Sequence, residues 1–545
     1  MIRVTTTAFD DQKPGTSGLR KTTQHFQQTH YLENFVQSIF NAMPKPSTMD
    51  KVSLVLGGDG RFYNKTAIQI IIRMAAANGI SRLIIGQDGI LSTPAASLLI
   101  RNYKTDGGII LSASHNPGGQ NGDFGIKFNS SNGGPAAEQI TNEIYQQSLN
   151  ITEYFTIDHD EQDIHTLGET TLNGMTIEII DSVSAYSTLM SQLFDFSQIK
   201  QAVAHQNLSL CFDAMHAVTG PYANEIFVNQ LGFDKDLIIN AIPLEDFGGD
   251  HPDPNQAHAK LLVDKMYSES GTTLGAASDG DGDRNMILGK GFFVTPSDSL
   301  AVMAANINSI KGYTSGIAGV ARSMPTSRAV DKVAQANNFP HYETPTGWKF
   351  FGNLLDANKI TLCGEESFGT GSNHIREKDG IWAVLFWLNL IAIKNQSVEE
   401  IVKNHWEKYG RHYYARHDYE EIDSTIAQNL FESLKELLPS LNGKVMHGQK
   451  ITKTTDFSYL DPVDNSLSEN QGLIIQLEPD ARIIYRLSGT GTKGATLRIY
   501  LEYFETDKNN LNNDTTEMLN GLAQIAIEVA NIESLTGRTS PDVIT

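Results

Sequence analysis

Three aspartates alternate with glycines in the segment Ser-Asp-Gly-Asp-Gly-Asp-Arg at positions 278–284. An apolar run typical of a strand precedes it, so Asp279, Asp281 and Asp283 can converge at the end of that strand. A few carboxylate oxygens that leave positions free for phosphate suit Mg²⁺. An EF-hand would need glycine at its sixth position and glutamate at its twelfth, where this loop has arginine and lysine. The pattern therefore predicts a magnesium site and excludes an EF-hand.

A second glycine-rich segment, Arg-Leu-Ser-Gly-Thr-Gly-Thr-Lys-Gly-Ala-Thr-Leu-Arg at positions 486–498, combines hydroxyls with cations. Glycines let backbone N–H groups approach an anion, and the arginines complete a cradle for phosphate. The segment is not a nucleotide-binding P-loop, because Ala495 stands after Gly494 where that loop has lysine. We therefore expect a phosphate site that does not imply a nucleotide.

The segment Ser-Ala-Ser-His-Asn-Pro-Gly-Gly at positions 112–119 follows another apolar run and places Ser114 in a loop beside His115. A hydrolase nucleophile would stand between two glycines in Gly-x-Ser-x-Gly, whereas serine and asparagine flank Ser114 at those positions. Beside a magnesium site, a serine hydroxyl suits phosphoryl transfer, because the metal offsets charge and a nearby base takes the proton. We interpret Ser114 as a phosphoryl carrier, with His115 and Lys127 near it.

Two adjacent carboxylates and a serine stand in Gly-Glu-Glu-Ser-Phe-Gly-Thr-Gly at positions 364–371. Carboxylates accept hydrogen bonds from paired hydroxyls, so this loop can bind a sugar. Lys378, shortly after it, can contact an anion. A charged surface loop is the alternative that this segment alone leaves open.

The chain of 545 residues has 42 Lys and Arg against 63 Asp and Glu, a formal net charge of −21. This excess argues against binding to nucleic acids or anionic membranes, which need a basic face. Two cysteines are too few for a disulfide framework, and no apolar stretch near the first residue resembles a signal peptide. The longest apolar run, Ile381–Ile393, is too short to span a bilayer and predicts a buried helix. We expect a cytoplasmic protein without membrane insertion, as a monomer or weak dimer.

Short apolar strands alternate with amphipathic helices along most of the chain, for example Ser53–Leu56 before Ala67–Asn78. This order indicates α/β layers with largely parallel sheets, whose chemistry lies at the carboxyl ends of strands. Near the C-terminus, apolar and polar residues alternate, which predicts an antiparallel sheet with one solvated face. A helix is expected over Thr515–Asn531. The polar segments near 150–175 and 195–207 are expected to be insertions or connections. Asn404–His417, which has no clean period, is expected to be a hinge before the last domain.

Four segments of the chain, at 112–119, 278–284, 364–371 and 486–498, resemble in sequence and order those of the α-D-phosphohexomutase superfamily. Within that superfamily they resemble the phosphoglucomutases of the eukaryotic type. The resemblance covers nearly the whole chain, with departures such as Arg328 in place of glycine and Ser112 where threonine is more usual. Further matching segments are Gly-Thr-Ser-Gly-Leu-Arg at 15–20, Glu-Asp-Phe-Gly-Gly-Asp-His-Pro-Asp-Pro-Asn at 245–255, Arg-Ser-Met-Pro-Thr-Ser at 322–327 and Pro-Thr-Gly-Trp-Lys at 345–349.

The resemblance implies an α/β fold, a heart-shaped molecule of four domains around a central cleft. Three domains are expected to be related mixed α/β sandwiches, and the fourth a C-terminal α+β domain with an antiparallel sheet. We place them at 1–184 with the phosphoserine loop, 185–302 with the metal-binding loop, 303–407 with the sugar-specificity loop and 408–545 with the phosphate-binding loop.

The resemblance also implies the site. Ser114 would carry the phosphoryl group and complete, with its oxygen, a Mg²⁺ site on Asp279, Asp281 and Asp283. The other groups expected to act in catalysis are His115, Lys127, Arg284 and Lys378. The residues expected to bind substrate are Thr16, Ser17, Arg20, Arg284, Thr346, Gly347, Glu365, Ser367, Lys378, Arg486, Ser488, Gly489, Thr490 and Arg498.

The implied reaction interconverts glucose 1-phosphate and glucose 6-phosphate, with glucose 1,6-bisphosphate as intermediate and activator. A phosphomannomutase or an amino-sugar phosphate mutase is an alternative within the superfamily, since a loop sequence does not settle which hydroxyls are recognised. A non-catalytic scaffold that kept the motifs is the other alternative. No departure touches Ser114 or the three aspartates, so we favour an active enzyme.

Overall fold

The computed structural model describes residues 1–15, 17–44, 52–488 and 494–545. Thr16, Gly489 and Thr490, which were expected to bind substrate, lie outside the described residues. Within those residues the strands form three mixed sheets, one large antiparallel sheet and two ribbons of two strands each.

The first mixed sheet has four parallel strands at its centre and antiparallel strands at its edges. In sheet order its strands are Leu19–Thr22, Asp123–Ser130, Gly107–Leu111, Ser53–Gly58, Arg82–Ile90, Met175–Ile180 and Gly168–Leu172. Its helices are Thr23–Phe26, Tyr31–Ala42, Asn64–Ala77, Thr93–Tyr103 and Glu138–Leu149. A ribbon pairs Ile2–Thr5 with Glu153–Thr156. The central strands are buried on both faces, which is why their sequences are continuous apolar runs.

The second and third sheets repeat the centre of the first. The second has the strands Ile238–Ile239, Leu210–Asp213, Leu274–Ser278, Asn285–Gly289 and Phe292–Val294. The third has His341–Thr344, Val320–Ser323, Leu362–Glu365 and Gly369–Ser372. In all three sheets, three neighbouring parallel strands are followed by an antiparallel strand that pairs with the last of them. The loops 112–122, 279–284 and 366–368 therefore occupy the same position in three related sheets.

Helices surround the second and third sheets. Those near the second are Ser184–Leu193, Phe196–His205, Thr219–Ala223 with its π-helical continuation Asn224–Gln230, and Lys260–Met266. Those near the third are Pro296–Asn306, Ala329–Asn337, Trp348–Asp356, Gly380–Lys394 and Val398–Tyr409. Short 3₁₀ turns are Lys235–Leu237, Phe247–Gly249, Ile307–Ser309 and Lys311–Tyr313.

Helix Gly380–Lys394 is buried in the largest apolar core, to which residues of all three mixed sheets contribute. This confirms the buried helix predicted over Ile381–Ile393. Among the residues that the structure describes, no single helix has the length and apolar character to cross a membrane. Gly380–Lys394 and Val398–Tyr409 pass that test only together, across a bend of 83°.

The C-terminal sheet is antiparallel throughout. In sheet order its strands are Val445–Met446, Gln449–Asp456, Leu473–Leu477, Ala481–Ser488, Ala495–Glu505, Arg411–Ile422 and Val543–Ile544. A ribbon pairs Tyr459–Leu460 with Leu467–Ser468, and the helices are Ser424–Leu441, Thr515–Ala530 and Ile532–Thr536. These helices cover one face of the sheet.

The expectation that the other face is solvated is wrong for its centre. Ile474, Ile484 and Tyr500 are buried there against Met324 of the third domain. Arg482 and Glu502 on the same strands are 2% and 1% exposed. The alternating polar residues had predicted a face exposed to water. Arg482 and Glu502 instead pair with each other at a domain interface.

Two predicted connections are regular elements. The segment 195–207 contains helix Phe196–His205, and the expected hinge over 404–417 is the end of one helix and the start of a strand. Only Gly410, with φ of 83°, separates the two. The domain boundaries expected at 302/303 and 407/408 fall inside Pro296–Asn306 and Val398–Tyr409, and the division into domains stays a prediction.

Candidate active site

Ser114 stands in a strained backbone conformation at the carboxyl end of strand Gly107–Leu111, with φ of 51°. Its hydroxyl donates to Asp279 Oδ2 at 2.8 Å, and the residue is 3% exposed. Its N–H donates to Ser112 Oγ at 2.7 Å, and its carbonyl oxygen accepts from Arg61 at 2.8 Å. A positive φ is uncommon outside glycine, so these contacts hold Ser114 where the chain alone would not.

A buried ion pair between Arg61 and Asp59 supports the loop that carries Ser114. Arg61 Nε donates to Asp59 Oδ2 at 2.9 Å, and the same oxygen accepts the Ser112 hydroxyl at 2.6 Å. Both side chains are fully buried. The sequence reasoning missed Asp59 and Arg61, although a charged Asp-Gly-Arg directly after the apolar strand Ser53–Gly58 was a signal that could have found them.

The three aspartates of the metal loop converge as predicted. One oxygen of each lies within 4.8 Å of the others. Asp279 Oδ1 accepts hydrogen bonds from the backbone N–H groups of Asp283 and Arg284, each at 2.9 Å. Asp281 Oδ1 and Asp283 Oδ1 are buried and have no hydrogen-bond partner in the described part of the chain. Such atoms are costly without a counter-charge, so the arrangement fits a hard cation that also faces the serine.

The metal loop and the serine loop are in direct contact at Gly280. A Cβ at this position would lie 2.3 Å from the carbonyl oxygen of Ser114, so only glycine fits. Burial, with the charges of Asp283 and Asp281, raises the pKa of Asp279. Burial also acts to raise the pKa of Asp281, but Lys127 and a hydrogen bond from Thr93 outweigh it and hold that pKa below its usual range.

His115 lies beside Ser114, and Lys127 lies beside Asp281 of the metal loop. His115 Nδ1 is 3.5 Å from Ser114 Oγ. Burial and the nearby cations, first Arg284 and then Arg20, hold the pKa of His115 well below its usual value, so the imidazole is neutral near neutral pH. Lys127 Nζ is 3.6 Å from Asp281. Burial lowers the pKa of Lys127, but its carboxylate neighbours outweigh this and raise it, so Lys127 stays protonated.

The third domain completes the cluster. Lys378 Nζ is 3.0 Å from Asp283 Oδ2. Burial lowers the pKa of this lysine, but the carboxylates of Asp283, Glu365 and Asp279 together outweigh burial and raise it. A backbone bridge between Arg284 and Gly369 joins the metal loop to the sugar loop. Glu365 Oε1 accepts the N–H of Gly347 at 2.9 Å. The expected catalytic groups of three domains therefore meet at one place.

Several expected ligand residues have unused polar atoms. Arg20 Nε, Arg284 Nε and the Thr346 hydroxyl are buried without a hydrogen-bond partner among the described residues. The pKa of Arg20 is lowered, and burial is the main cause. Ser17 precedes Gly18, whose Cβ would lie 2.6 Å from Lys127 Cβ, so this loop lies directly on the lysine. Ser367 is half-buried in the sugar loop.

Arg486 and Arg498 are directly opposite each other on neighbouring antiparallel strands, and Ser488 is opposite Thr496. Two like charges opposite each other repel, and an anion bound between the two arginines would offset this repulsion. Arg498 is close enough to His115 to contribute to lowering its pKa. Within the described residues, no hydrogen bond or ion pair joins Arg486 to the serine or metal loops.

Four family models together match most of the chain. They are phosphoglucomutase/phosphomannomutase α/β/α domain I over residues 11–155, domain II over 184–291 and domain III over 295–409, and the phosphoglucomutase-1 C-terminal domain over 411–542. The chain belongs to the phosphoglucomutase/phosphomannomutase family. The family membership and the fold class expected from the sequence are thereby confirmed.

Relatives of this family match the chain over its full length. A phosphoglucomutase of Rhizobium radiobacter is 54% identical over 542 residues, covering 99% of each chain. Phosphoglucomutase-1 of Homo sapiens is 53% identical over 561 aligned positions, covering 100% of each. The solved structure of pp63/parafusin, a phosphoglucomutase from Paramecium in its open form, is 48% identical and has a TM-score of 0.91, covering 100% of this chain and 99% of that one.

Proposed function

We propose that this protein is a phosphoglucomutase that interconverts glucose 1-phosphate and glucose 6-phosphate. The observation that carries the proposal is the position of the Ser114 hydroxyl, 2.8 Å from Asp279 Oδ2. Each of the two other aspartates in this triad has a buried oxygen without a hydrogen-bond partner among the residues that the structure describes. Full-length relatives with this name at 53–54% identity support it.

In this proposal Ser114 carries the phosphoryl group. A Mg²⁺ ion held by Asp279, Asp281 and Asp283 would offset the charge of that group. The sugar hydroxyl forms the new P–O bond and passes its proton to a neighbouring base, while the bond to Ser114 Oγ breaks and this oxygen takes up a proton from a neighbouring acid. His115 is neutral and 3.5 Å from Ser114 Oγ, so it can accept the Ser114 proton when a phosphoryl group returns. Lys127, Lys378, Arg20 and Arg284 supply positive charge around the group in transfer.

The product of this first step is glucose 1,6-bisphosphate, whose other phosphoryl group returns to Ser114 after the sugar turns over. Glu365 and Ser367 are proposed to hold sugar hydroxyls, and Thr346 and Gly347 to fix the orientation of the sugar. Ser17 and Thr16 would help to bind the substrate beside Lys127. The non-reacting phosphate would bind to Arg486, Ser488, Gly489, Thr490 and Arg498.

We divide the chain into the same four domains, 1–184, 185–302, 303–407 and 408–545, each of which carries one of the four loops. Both cysteines, Cys211 and Cys363, are free and buried, which supports a reducing compartment such as the cytoplasm.

The test is the rate on glucose 1-phosphate against the rate on mannose 1-phosphate, with Mg²⁺ present. We expect a clear preference for glucose. A higher kcat/KM on mannose 1-phosphate would assign the enzyme to the phosphomannomutases instead.

A further inference from the structure

The two adjacent glutamates of the sugar loop face different domains. Glu365 contacts the N–H of Gly347 within the third domain, at 2.9 Å. Glu366 Oε2 lies 3.0 Å from Arg416 Nη1 on the first strand of the C-terminal sheet. Its backbone N–H donates to Thr326 at 2.9 Å, and the residue is 6% exposed. The carboxylate of Glu366 therefore forms an ion pair with the fourth domain.

Arg416 continues this contact towards the phosphate cradle. Its Nε is 3.0 Å from Asp418 Oδ1, and Asp418 Oδ2 is 3.6 Å from Arg498 Nε. Glu366 and Asp418 are nearly fully buried, and Arg416 and Arg498 are partly buried. Charges in such surroundings interact more strongly than at the surface, and losing one leaves its partner uncompensated.

A second contact leads to the other arginine of the cradle. Tyr500 accepts a hydrogen bond from Arg486 Nη1 at 3.3 Å. Burial, and after it the charge of Glu366, raises the pKa of Tyr500. Arg498 is thus linked to Glu366 through Arg416 and Asp418, and Arg486 contacts a tyrosine that is within the field of the same carboxylate.

We propose that Glu366 is a positioning residue that couples the sugar loop to the phosphate cradle through Arg416 and Asp418. The proposal rests on the proposed function. One substrate must be held at its hydroxyls by the third domain and at its distal phosphate by the fourth. The bisphosphate must also turn over without leaving. The Glu366–Arg416 pair keeps the two binding loops aligned during that turn, so its loss favours escape of the intermediate.

The experiment compares Glu366→Gln with the wild type for KM, kcat and the glucose 1,6-bisphosphate released per turnover. We expect KM for glucose 1-phosphate to rise about tenfold, because a phosphate cradle out of alignment with the sugar loop binds the two ends of one substrate less well. We also expect more released bisphosphate and a smaller change in kcat when bisphosphate is supplied in excess. A purely structural defect would lower the amount of active enzyme without this separation of KM from kcat.

Lys332→Met is the matched control. Lys332 pairs with Asp480 at 3.2 Å across the same two domains, but away from the sugar loop, and methionine keeps its packing on Phe504. We expect its KM and bisphosphate release to equal those of the wild type. The double variant Glu366→Gln/Arg416→Gln should be no worse than the worse single variant, because the two residues act as one unit.

Arg416→Lys is measured in parallel and decides the matter if Glu366→Gln does not fold. A lysine cannot reach Glu366 and Asp418 together as the arginine fork does, so a raised KM supports the coupling. KM and bisphosphate release equal to those of Lys332→Met would overturn it. A wild type that does not turn over glucose 1-phosphate would instead overturn the proposed function.

Discussion

At the scale of single residues, the conformation of Ser114 depends on hydrogen bonds from side chains that never meet the substrate. Ser112 accepts from the N–H of Ser114 and donates to Asp59, which is in turn bound by Arg61. The left-handed φ of 51° directs the hydroxyl to Asp279 rather than back over its own strand. The Ser114 hydroxyl is therefore oriented before any ligand binds, which in the proposed mechanism reduces the cost of reaching the transition state.

Ser112→Ala tests this support. The change leaves the buried N–H of Ser114 without its acceptor, and such a loss costs about 1–3 kcal/mol. We expect kcat to fall about tenfold or more with little change in KM, because Ser112 lies behind the nucleophile. Steady-state kinetics on glucose 1-phosphate measure both.

Ser112→Thr is the control, since it keeps the hydroxyl, and its kcat should stay close to that of the wild type. Equal rates for the alanine and threonine variants would show that the hydroxyl of residue 112 does not position Ser114.

At the scale of elements, the serine, metal and sugar loops are the same loop of three related sheets. Each follows the last of three parallel strands and leads into an antiparallel strand. The carboxyl ends of parallel strands collect chemistry in α/β folds, and here three such ends converge. The contacts between them are short, from Gly280 against Ser114 and from Arg284 paired with Gly369.

Gly280→Ala should separate two of these loops. The added Cβ would meet the backbone of Ser114 at 2.3 Å, so one loop must move. Displacement of reacting groups by about 1 Å costs about a hundredfold in rate. We expect a loss of kcat of that order, measured at saturating Mg²⁺.

Gly352→Ala is the matched control, because its Cβ meets nothing within 4 Å and it lies in helix Trp348–Asp356. Its kcat should be unchanged. A Gly280→Ala enzyme as fast as this control would mean that the two loops do not need their close contact.

The sequence predicted elements well where apolar residues follow one period. The helix predicted over Thr515–Asn531 begins at the predicted residue and ends one residue earlier, at Ala530. Helix Phe196–His205 was missed although Phe196, Ile199, Ala202 and Val203 recur at helical spacing and pack on the core. The polar residues between them had suggested a connection.

The loop motifs predicted the aspartate triad and its proximity to Ser114. They could not predict the equivalence of the three loops, which is a property of strand pairing and not of residue type. Glu366 and Arg416 are 50 residues apart and belong to different domains, so no local pattern could link them.

At the scale of the whole molecule, an acidic protein concentrates cations at one place. The formal net charge is −21, yet the site brings together the side chains Arg20, Lys127, Arg284 and Lys378. These cations stand among the carboxylates of Asp279, Asp281, Asp283 and Glu365, whose charge a Mg²⁺ ion would offset. With that charge offset, the cations can attract an anionic sugar phosphate.

The fourth domain is attached to the third through a buried polar interface. Arg482 donates to the carbonyl oxygen of Met324 at 3.0 Å and pairs with Glu502, which His412 also contacts at 2.6 Å. Arg482 and Arg328 outweigh burial and hold the pKa of Glu502 well below its usual range, so this carboxylate stays charged. Arg328 thus adds a cation to this interface between the third and fourth domains.

The most direct measurement is a coupled assay of glucose 6-phosphate formation from glucose 1-phosphate with Mg²⁺, with and without a trace of glucose 1,6-bisphosphate. The account predicts that the bisphosphate primes the wild type, because it phosphorylates Ser114, and that Ser114→Ala is inactive under both conditions. Activity of Ser114→Ala equal to that of the wild type, or an inactive wild type under both conditions, would contradict it.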